Sequence, residues 1–263
     1  MEIDLTGRAA LITGGSKGLG FAMAQRMSAS GADVAIFARR PDVIAEAVKT
    51  LQTTAKAKVI GVACDVANAE DVRRGFAETI AGLGKVDILV NNAGQSMAMP
   101  FGEITDEVWQ TDLDLKLFAC IRLCRLAMPG MMERRWGRII NVLNLGAKAP
   151  RPGGAPTAVS RAAGMALTKV LAGEGAPHNV LVNGMLVGTI RSDQSVRRHA
   201  GLVAGGLNES YEDYVAKLGR NIPLGRLGEA EEFAALACFL ASEQGGYITG
   251  TAINVDGGAS PVV

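Results

Sequence analysis

The chain has 263 residues, of which 48% are hydrophobic and 20% are charged, as expected of a globular protein with a sizeable core. Lysine and arginine total 27 against 26 for aspartate and glutamate, so bulk charge favours neither a nucleic-acid partner nor an anionic membrane. Four scattered cysteines without a histidine cluster favour buried thiols over a metal site. With no signal peptide and no membrane-length apolar run in view, we expect a cytoplasmic protein.

Apolar runs alternate with helical stretches along the chain, which is the pattern of a parallel sheet covered on both faces. Seven strands are predicted, at Ala9–Ile12, Asp33–Phe37, Lys58–Ala63, Val86–Val90, Gly137–Val142, Asn179–Met185 and Thr251–Val255. Helices are predicted at Phe21–Ser30, Val43–Thr54, Ala69–Leu83, Asp106–Glu133 and Ala158–Leu171. No linker or repeat divides the chain. We therefore predict one α/β domain over residues 1–263, a Rossmann-like, doubly wound, seven-stranded parallel sheet.

The predicted helix Asp106–Glu133 is unusually long, and Trp109, Leu113, Leu117 and Phe118 are expected near its core face. Together with the helix Ala158–Leu171 it carries more apolar residues than one sheet face can bury. This excess predicts a homo-oligomer, a dimer or a tetramer.

Residues 190–221 break the alternation with polar and glycine-containing sequence after the sixth strand. Ligands of doubly wound sheets bind beyond the carboxyl ends of the strands. The segment therefore predicts a substrate-side insertion that acts as a lid, and a disordered surface loop is the alternative. His199 within it is a candidate acid or base, although a surface histidine is the commoner case.

A glycine-rich turn joins the first strand to the helix after it. Its glycines suit a tight turn in which no Cβ obstructs a phosphate, and the following helix offers unpaired N–H groups to the anion. The preceding strand and the following helix supply the context that such a motif requires. The residues assigned to the nucleotide here are Gly14, Ser16, Lys17, Gly18, Leu19 and Gly20.

With Asn91-Asn92-Ala93-Gly94 after the fourth strand, this turn resembles the short-chain dehydrogenase/reductase family, and the resemblance runs almost end to end. It implies cofactor contacts along the edge of the sheet. Asp65 and Val66 correspond to the adenine contact, and Asn92, Ala93 and Gly94 to the loop under the adenine ring and ribose. Val187 and Gly188 stand where relatives have Pro-Gly beside the nicotinamide. Relatives also pair the two long helices across a two-fold axis.

The end of the second strand indicates which cofactor is bound. An acidic residue there would accept hydrogen bonds from the ribose of NAD and repel a 2′-phosphate. This chain has Arg39 and Arg40 instead, with Lys17 in the glycine turn. We therefore expect NADP(H) rather than NAD(H), and a solvated basic surface is the alternative.

The family's proton-transfer set is an Asn, a Ser, a Tyr and a Lys, and by position these are Lys116, Asn144, Thr157 and Arg161 here. An aliphatic hydroxyl and an arginine do not replace a phenol tuned by a lysine, so we expect ketone reduction of the family type to be very slow or absent. The set suits the holding of negative charge, which favours a small and anionic substrate. Each residue also has a structural alternative: Lys116 could reach solvent or pair with Asp112, Arg161 could be a surface cation, and Thr157 could only begin a helix.

The sequence is compatible with three functions. The first is an NADP(H)-dependent oxidoreductase with a rearranged proton donor. The second is a non-redox enzyme on the same fold, such as a decarboxylase, a lyase or an isomerase that stabilises an enolate or carboxylate. The third is a nucleotide-binding protein without turnover. The fold alone does not decide among them, because the chemistry belongs to the site.

Overall fold

The computed structural model describes residues 2–263, apart from the side chains at positions 193, 194 and 197. Its centre is one seven-stranded sheet in the order β3-β2-β1-β4-β5-β6-β7, in which all neighbouring strands run parallel. The strands are β1 (Ala9–Thr13), β2 (Asp33–Ala38), β3 (Val59–Ala63), β4 (Ile88–Asn91), β5 (Gly137–Asn144), β6 (Val180–Val187) and β7 (Ala252–Val255). The predicted fold class is confirmed.

Nine α-helices surround the sheet within the described residues. They are α1 (Gly18–Ala29), α2 (Pro41–Gln52), α3 (Ala69–Leu83), α4 (Asp106–Leu113), α5 (Ala119–Glu133), α6 (Thr157–Gly175), α7 (Asp193–Ala204), α8 (Tyr211–Gly219) and α9 (Ala230–Leu240). The sequence did not indicate α7, α8 or α9. Helix α9 packs on α1 and is apolar around most of its circumference, so it lacks the one-sided periodicity that marks a surface helix. None of the helices in residues 2–263 has the length and apolar character needed to cross a bilayer.

Two hydrophobic cores, one on each face of the sheet, bury the strands. Successive residues of β1 point into different cores: Ile12 packs with Met23 of α1 and Phe233 of α9, whereas Leu11 packs with Leu123 of α5. Strands covered on both faces read as continuous apolar runs, because neither side meets solvent. The strands could therefore be predicted from the sequence.

The segment predicted as one long helix is helical throughout, but a π-helical turn at Asp114–Phe118 separates α4 from α5. The expected core face was wrong. Phe118 is 39% exposed, whereas the residues buried in α4 and the π turn are the charged Asp112 and Lys116. Hydrophobic periodicity predicted the wrong face because this side of the helix packs on the first turn of α6. The hydroxyl groups there form hydrogen bonds with the buried charges.

Residues 190–221 contain α7 and α8, which pack on each other. The ring of His199 lies 5.5 Å from that of Tyr211 and 5.3 Å from that of Tyr214, measured between centroids. Its Nε2 is 2.9 Å from the carbonyl oxygen of Glu209. These contacts give His199 a packing role between the helices, and both the lid and an acid–base role stay predictions.

Truncation of Phe233 should test the contribution of α9 to the fold. The side chain is 0% exposed between α9 and the sheet, so Phe233→Ala should lower the free energy of unfolding by about 3–5 kcal/mol. Ile80→Ala on α3 is the control, since Ile80 is 37% exposed and should cost less than about 1 kcal/mol. Urea denaturation followed by circular dichroism measures both, and similar losses would show that α9 is not part of the core.

Candidate active site

The glycine-rich turn forms a cradle at the carboxyl end of β1. Gly14 and Gly18 adopt φ values of +64° and +54°, a region that L side chains rarely occupy. A Cβ on Gly20 would collide with the carbonyl oxygen of Gly14. Helix α1 begins at Gly18, and no side chain caps it within the described residues, so its first N–H groups face outward. The cradle has the shape and the dipole that a phosphate requires.

A clamp on Thr13 joins this cradle to the end of β4. The backbone N–H groups of Asn92 and Ala93 both donate to the Thr13 hydroxyl at 2.9 Å, and that hydroxyl donates to the Val90 carbonyl. The side-chain amide of Asn92 donates to the Thr13 carbonyl at 2.9 Å. Asn92 therefore fixes the two loops relative to each other, and the structure gives its amide nitrogen a positioning role.

Basic side chains border the cradle. Arg39 and Arg40 follow β2 directly and are exposed, as is Lys17 in the turn. Within residues 2–263, neither Arg39 nor Arg40 forms an ion pair, and the Ser16 hydroxyl makes no hydrogen bond. Leu19 packs on the core beneath the helix. The two arginines are thus exposed at the end of the strand next to β1, and their contact with the nucleotide stays a prediction.

The other predicted cofactor residues lie at the ends of their strands. After β3, an Asp65 carboxylate oxygen accepts a hydrogen bond from the Ala67 N–H at 3.0 Å, and Val66 is buried. Gly188 follows Val187 at the end of β6, and a Cβ on it would lie 2.6 Å from the Asp256 Cα. Both Gly188 and the Asp65 turn thus have structural reasons for their residue types in addition to the predicted role.

The reaction centre is built around the buried carboxylate of Asp112, which is 0% exposed. Its Oδ1 is paired with the ammonium of Lys116, and the Thr157 hydroxyl lies 3.3 Å from the same oxygen. Its Oδ2 accepts a hydrogen bond of 2.6 Å from the Ser160 hydroxyl. Because Thr157 and Ser160 lie on the first turn of α6, the carboxylate ties α6 to the α4–α5 segment.

Lys116 lies in the π turn, four residues after Asp112 on the same face. Its Nζ donates to Asp112 and, at 2.9 Å, to the Thr157 hydroxyl. Burial lowers the pKa of Lys116 below its ordinary value, Asp112 opposes this change, and the nearby Arg161 adds to it. The alternative that Lys116 reaches solvent is wrong. A π turn at such a place is a common feature of functional sites.

Arg161 is partly buried against the loop after β4. A Cβ on Gly94 would lie 2.5 Å from its Nη2, so a side chain at position 94 would displace the guanidinium. Burial lowers the pKa of Arg161 to about 10, while the negative charge of Asp112 opposes the change. The side chain therefore remains a cation at neutral pH. Within the described chain its guanidinium makes no hydrogen bond, which leaves its donors available to a ligand.

Asn144 ends β5, at the position of the family's Ser. Its carboxamide forms no hydrogen bond with any other described residue, and its Oδ1 is buried without a partner. Buried polar atoms are normally paired, so an orphan of this kind needs a ligand or water. Asn144 and Arg161 are thus two predicted site residues whose side chains have no hydrogen-bond partner among the described residues.

The structure brings the predicted site residues Lys116 and Thr157 into contact, and their catalytic role stays a prediction. The sequence did not indicate Ser160, and it indicated Asp112 only as a possible partner of Lys116. The helical spacings were the available signal. Asp112 precedes Lys116 by four residues and Ser160 follows Thr157 by three, so each pair shares a helix face. The Met97 N–H also donates to the Thr157 hydroxyl, at 2.9 Å. The local sequence did not indicate this hydrogen bond, because Met97 lies in a loop.

Comparison with known proteins gives a consistent result. A family model described as enoyl-(acyl carrier protein) reductase matches residues 14–260. The human protein named dehydrogenase/reductase SDR family member 4 is 35% identical over 257 residues, which cover 97% of this chain and 88% of the relative. The chain therefore has full-length similarity to these relatives.

Solved structures agree in fold as well as in sequence. L-sorbose reductase from Gluconobacter frateurii, solved with NADPH and L-sorbose, is 32% identical with a TM-score of 0.95 and full coverage of both chains. An NADPH-bound short-chain oxidoreductase from Pseudomonas aeruginosa PAO1, described as containing an atypical catalytic center, is 38% identical with a TM-score of 0.90, over 99% of this chain and 100% of that one.

Removal of the Asp112 carboxylate should strongly destabilise the protein. Asp112→Ala leaves the buried charge of Lys116 without its partner, and we expect a loss of about 3–5 kcal/mol in the free energy of unfolding. Asp114→Ala is the matched control, because its pair with Arg122 at 2.9 Å is partly exposed and should contribute about 0–1 kcal/mol. Equal losses in urea denaturation would contradict the central place of Asp112.

Proposed function

We propose, because the chain belongs to the short-chain dehydrogenase/reductase family, that it is an NADP(H)-dependent oxidoreductase acting on a small carbonyl or alcohol substrate. It acts as one domain over residues 1–263, with residues 190–221 as a lid on the substrate side. The family membership supports the oxidoreductase class, and the NADPH found in structures of relatives supports the cofactor. The substrate class rests on the residues of the centre.

The main support for this proposal is the cradle of Gly14, Gly18 and Gly20, which lies at the uncapped start of α1. Arg39 and Arg40 follow the neighbouring strand β2. The cradle fits a pyrophosphate, since the glycines leave room and the helix start supplies N–H donors. The two arginines, exposed and without ion pairs in the described chain, suit a 2′-phosphate. Asp65, Val66 and the loop Asn92–Gly94 border the adenosine, and Val187 and Gly188 border the nicotinamide.

The reaction centre then handles the substrate. When bound, the cofactor supplies or accepts the hydride. The unbonded carboxamide of Asn144 orients the substrate oxygen by donating a hydrogen bond to it, in place of the family's Ser. Arg161 donates to the ribose hydroxyls or to an anionic group of the substrate, because its guanidinium has no partner within the described residues. Lys116 and Arg161 together give the centre, with Asp112, a net charge of about +1, which stabilises an oxyanion.

The same charges support a second candidate, a non-redox enzyme that stabilises an enolate or carboxylate. Arg161, a cation with all of its donors unbonded inside the described chain, is the observation in its favour. Decarboxylation or retro-aldol cleavage would then proceed without any change in nicotinamide absorbance. We favour the redox function over the non-redox one because the chain has both the glycine cradle and the arginines next to it.

A homo-oligomer is also proposed, formed through α5 and α6. A groove of about 340 Å³ runs between these helices, lined by apolar side chains that include Met128, Leu167 and Leu171. Val170, next to the groove in sequence, is 56% exposed. A second copy of the chain would bury this apolar surface, as the resemblance to the family implies.

The cofactor preference provides the first test. The intact protein should bind NADPH more tightly than NADH in calorimetry, and Arg39→Ala should reduce that preference by roughly 1–3 kcal/mol, the scale of a charge-assisted contact. Arg26→Ala, an exposed arginine near the far end of α1, should change nothing. A panel of small ketones and hydroxyketones, followed at the nicotinamide band, then tests turnover. Equal affinity for the two cofactors would contradict the preference, and binding without turnover would favour the non-redox alternative.

The oligomer provides a separate test. Light scattering at micromolar concentration should give a mass of two or four chains. Val170→Glu should lower that mass, because it places a charge on the apolar surface between α5 and α6. Ile80→Glu on α3 is the control and should leave the mass unchanged. A monomeric native protein would overturn the oligomer without affecting the proposed reaction.

A further inference from the structure

The hydroxyl of Thr157 has a complete set of hydrogen bonds. It accepts one from the Met97 N–H at 2.9 Å and one from the Lys116 ammonium at 2.9 Å. These two donors occupy both lone pairs, so the hydroxyl proton must point elsewhere. The only acceptor found for it among the described residues is Asp112 Oδ1, at 3.3 Å, the longest of the three contacts. This contact is the weakest of the three, so a nearer acceptor on the same side of the hydroxyl can take the place of Asp112.

Lys116 is the group beside Thr157 that can release a proton. Arg161 keeps its proton at neutral pH, and the carboxylate of Asp112 is an acceptor. One turn after Lys116, a hydrogen bond with Cys124 and burial raise the pKa of the Cys120 thiol well above its ordinary value. These are the titratable groups that face Lys116 from its own helical segment and from α6. Since an ammonium has three donors and two of them are used, Lys116 holds its position while it transfers a proton.

We propose that Thr157 passes a proton from Lys116 to the carbonyl oxygen of the substrate, in place of the family's Tyr. This relay rests on the proposed oxidoreductase function. Bound NADPH would supply the hydride that bonds to the carbonyl carbon. The electron pair of the C=O π bond then moves to the oxygen, which forms an O–H bond with the Thr157 proton as the Thr157 O–H bond breaks. The Thr157 oxygen simultaneously takes a proton from the Lys116 nitrogen. The hydroxyl is thus restored, neutral Lys116 remains, and water returns its proton after the product has left.

The relay removes the chemical objection to a threonine at this position. An aliphatic hydroxyl is too weak an acid to leave its proton with a substrate and remain as an alkoxide. In the relay no alkoxide forms on Thr157, because the Lys116 proton arrives as the first proton departs. The acid strength that matters is that of Lys116, which burial has increased. Asp112 is a positioning residue, since it holds the ammonium against Thr157.

Substitutions at position 157 give a matched test of the relay. Thr157→Ser keeps the hydroxyl and should stay within about threefold of the native single-turnover rate with NADPH and the best carbonyl substrate of the panel. Thr157→Val keeps the shape and removes the hydroxyl, so the rate should fall by about 10²–10⁴, the usual contribution of general acid catalysis. NADPH affinity, measured by calorimetry, should remain within about twofold in both variants, which shows that the fold is kept.

The pH dependence separates a proton donor from a structural lysine. Reduction requires protonated Lys116, so the rate should fall as the pH rises through the pKa of Lys116. Lys116→Arg keeps the charge but cannot release the proton, so the reaction and the alkaline limb of its pH profile should both be lost. This variant tests the relay even if Thr157→Val does not fold. Asp112→Asn removes the group that raises this pKa and should move the limb to lower pH.

A readout without cofactor completes the experiment. In protein labelled with ¹³C at lysine Cε, NMR titration of the cofactor-free chain should give Lys116 a midpoint below the ordinary value of a lysine, and Thr157→Val should change the Lys116 midpoint alone. If the native protein turns over and the Thr157→Ser and Thr157→Val variants have equal rates, the relay is wrong. The relay is also wrong if Lys116→Arg keeps the native rate and pH profile, and in both cases the proposed function stands. Absence of turnover by the native protein on every carbonyl would overturn the proposed function and the relay with it.

Discussion

The buried carboxylate of Asp112 is the constraint on which the reaction centre depends. A charge removed from water is costly unless a counter-ion and hydrogen bonds replace the solvent. Lys116 supplies the counter-ion from the π turn, and Ser160 and Thr157 supply hydroxyl groups from α6. The carboxylate thereby holds the two helical segments together at the edge of the sheet, and it decides which atoms of the centre are occupied and which remain open.

The nucleotide half and the reaction half meet at Gly94. On one side, the loop that contains it is clamped to Thr13 and so to the phosphate cradle; on the other, the missing Cβ makes room for the guanidinium of Arg161. The positions that the resemblance predicts for the proton-transfer set do not carry the family's residues. Two of them nevertheless meet, because the long side chain of Lys116 reaches the short side chain of Thr157 and donates a hydrogen bond to its hydroxyl.

The glycine turn and the seven strands could be predicted because each depends on local sequence. A strand covered on both faces is a continuous apolar run, as in β1, and a glycine at positive φ, as at Gly18, follows from backbone sterics. The long helix was predicted in extent but not in orientation. Asp112 and Lys116 are buried and Phe118 is exposed, since the partner surface on α6 is remote in sequence.

The sequence by itself determined the fold class, the glycine turn with its neighbouring arginines, and the four residues predicted to stand in place of the family's proton-transfer set. Only the tertiary structure decided what those four residues do to one another. It buried Lys116 against Asp112, filled the lone pairs of Thr157 from a loop and a helix, and left Asn144 and Arg161 without partners in the described chain. The physical reason is that strands and turns are specified by neighbouring residues, whereas the charge state and hydrogen bonding of a buried group depend on contacts between segments far apart in sequence.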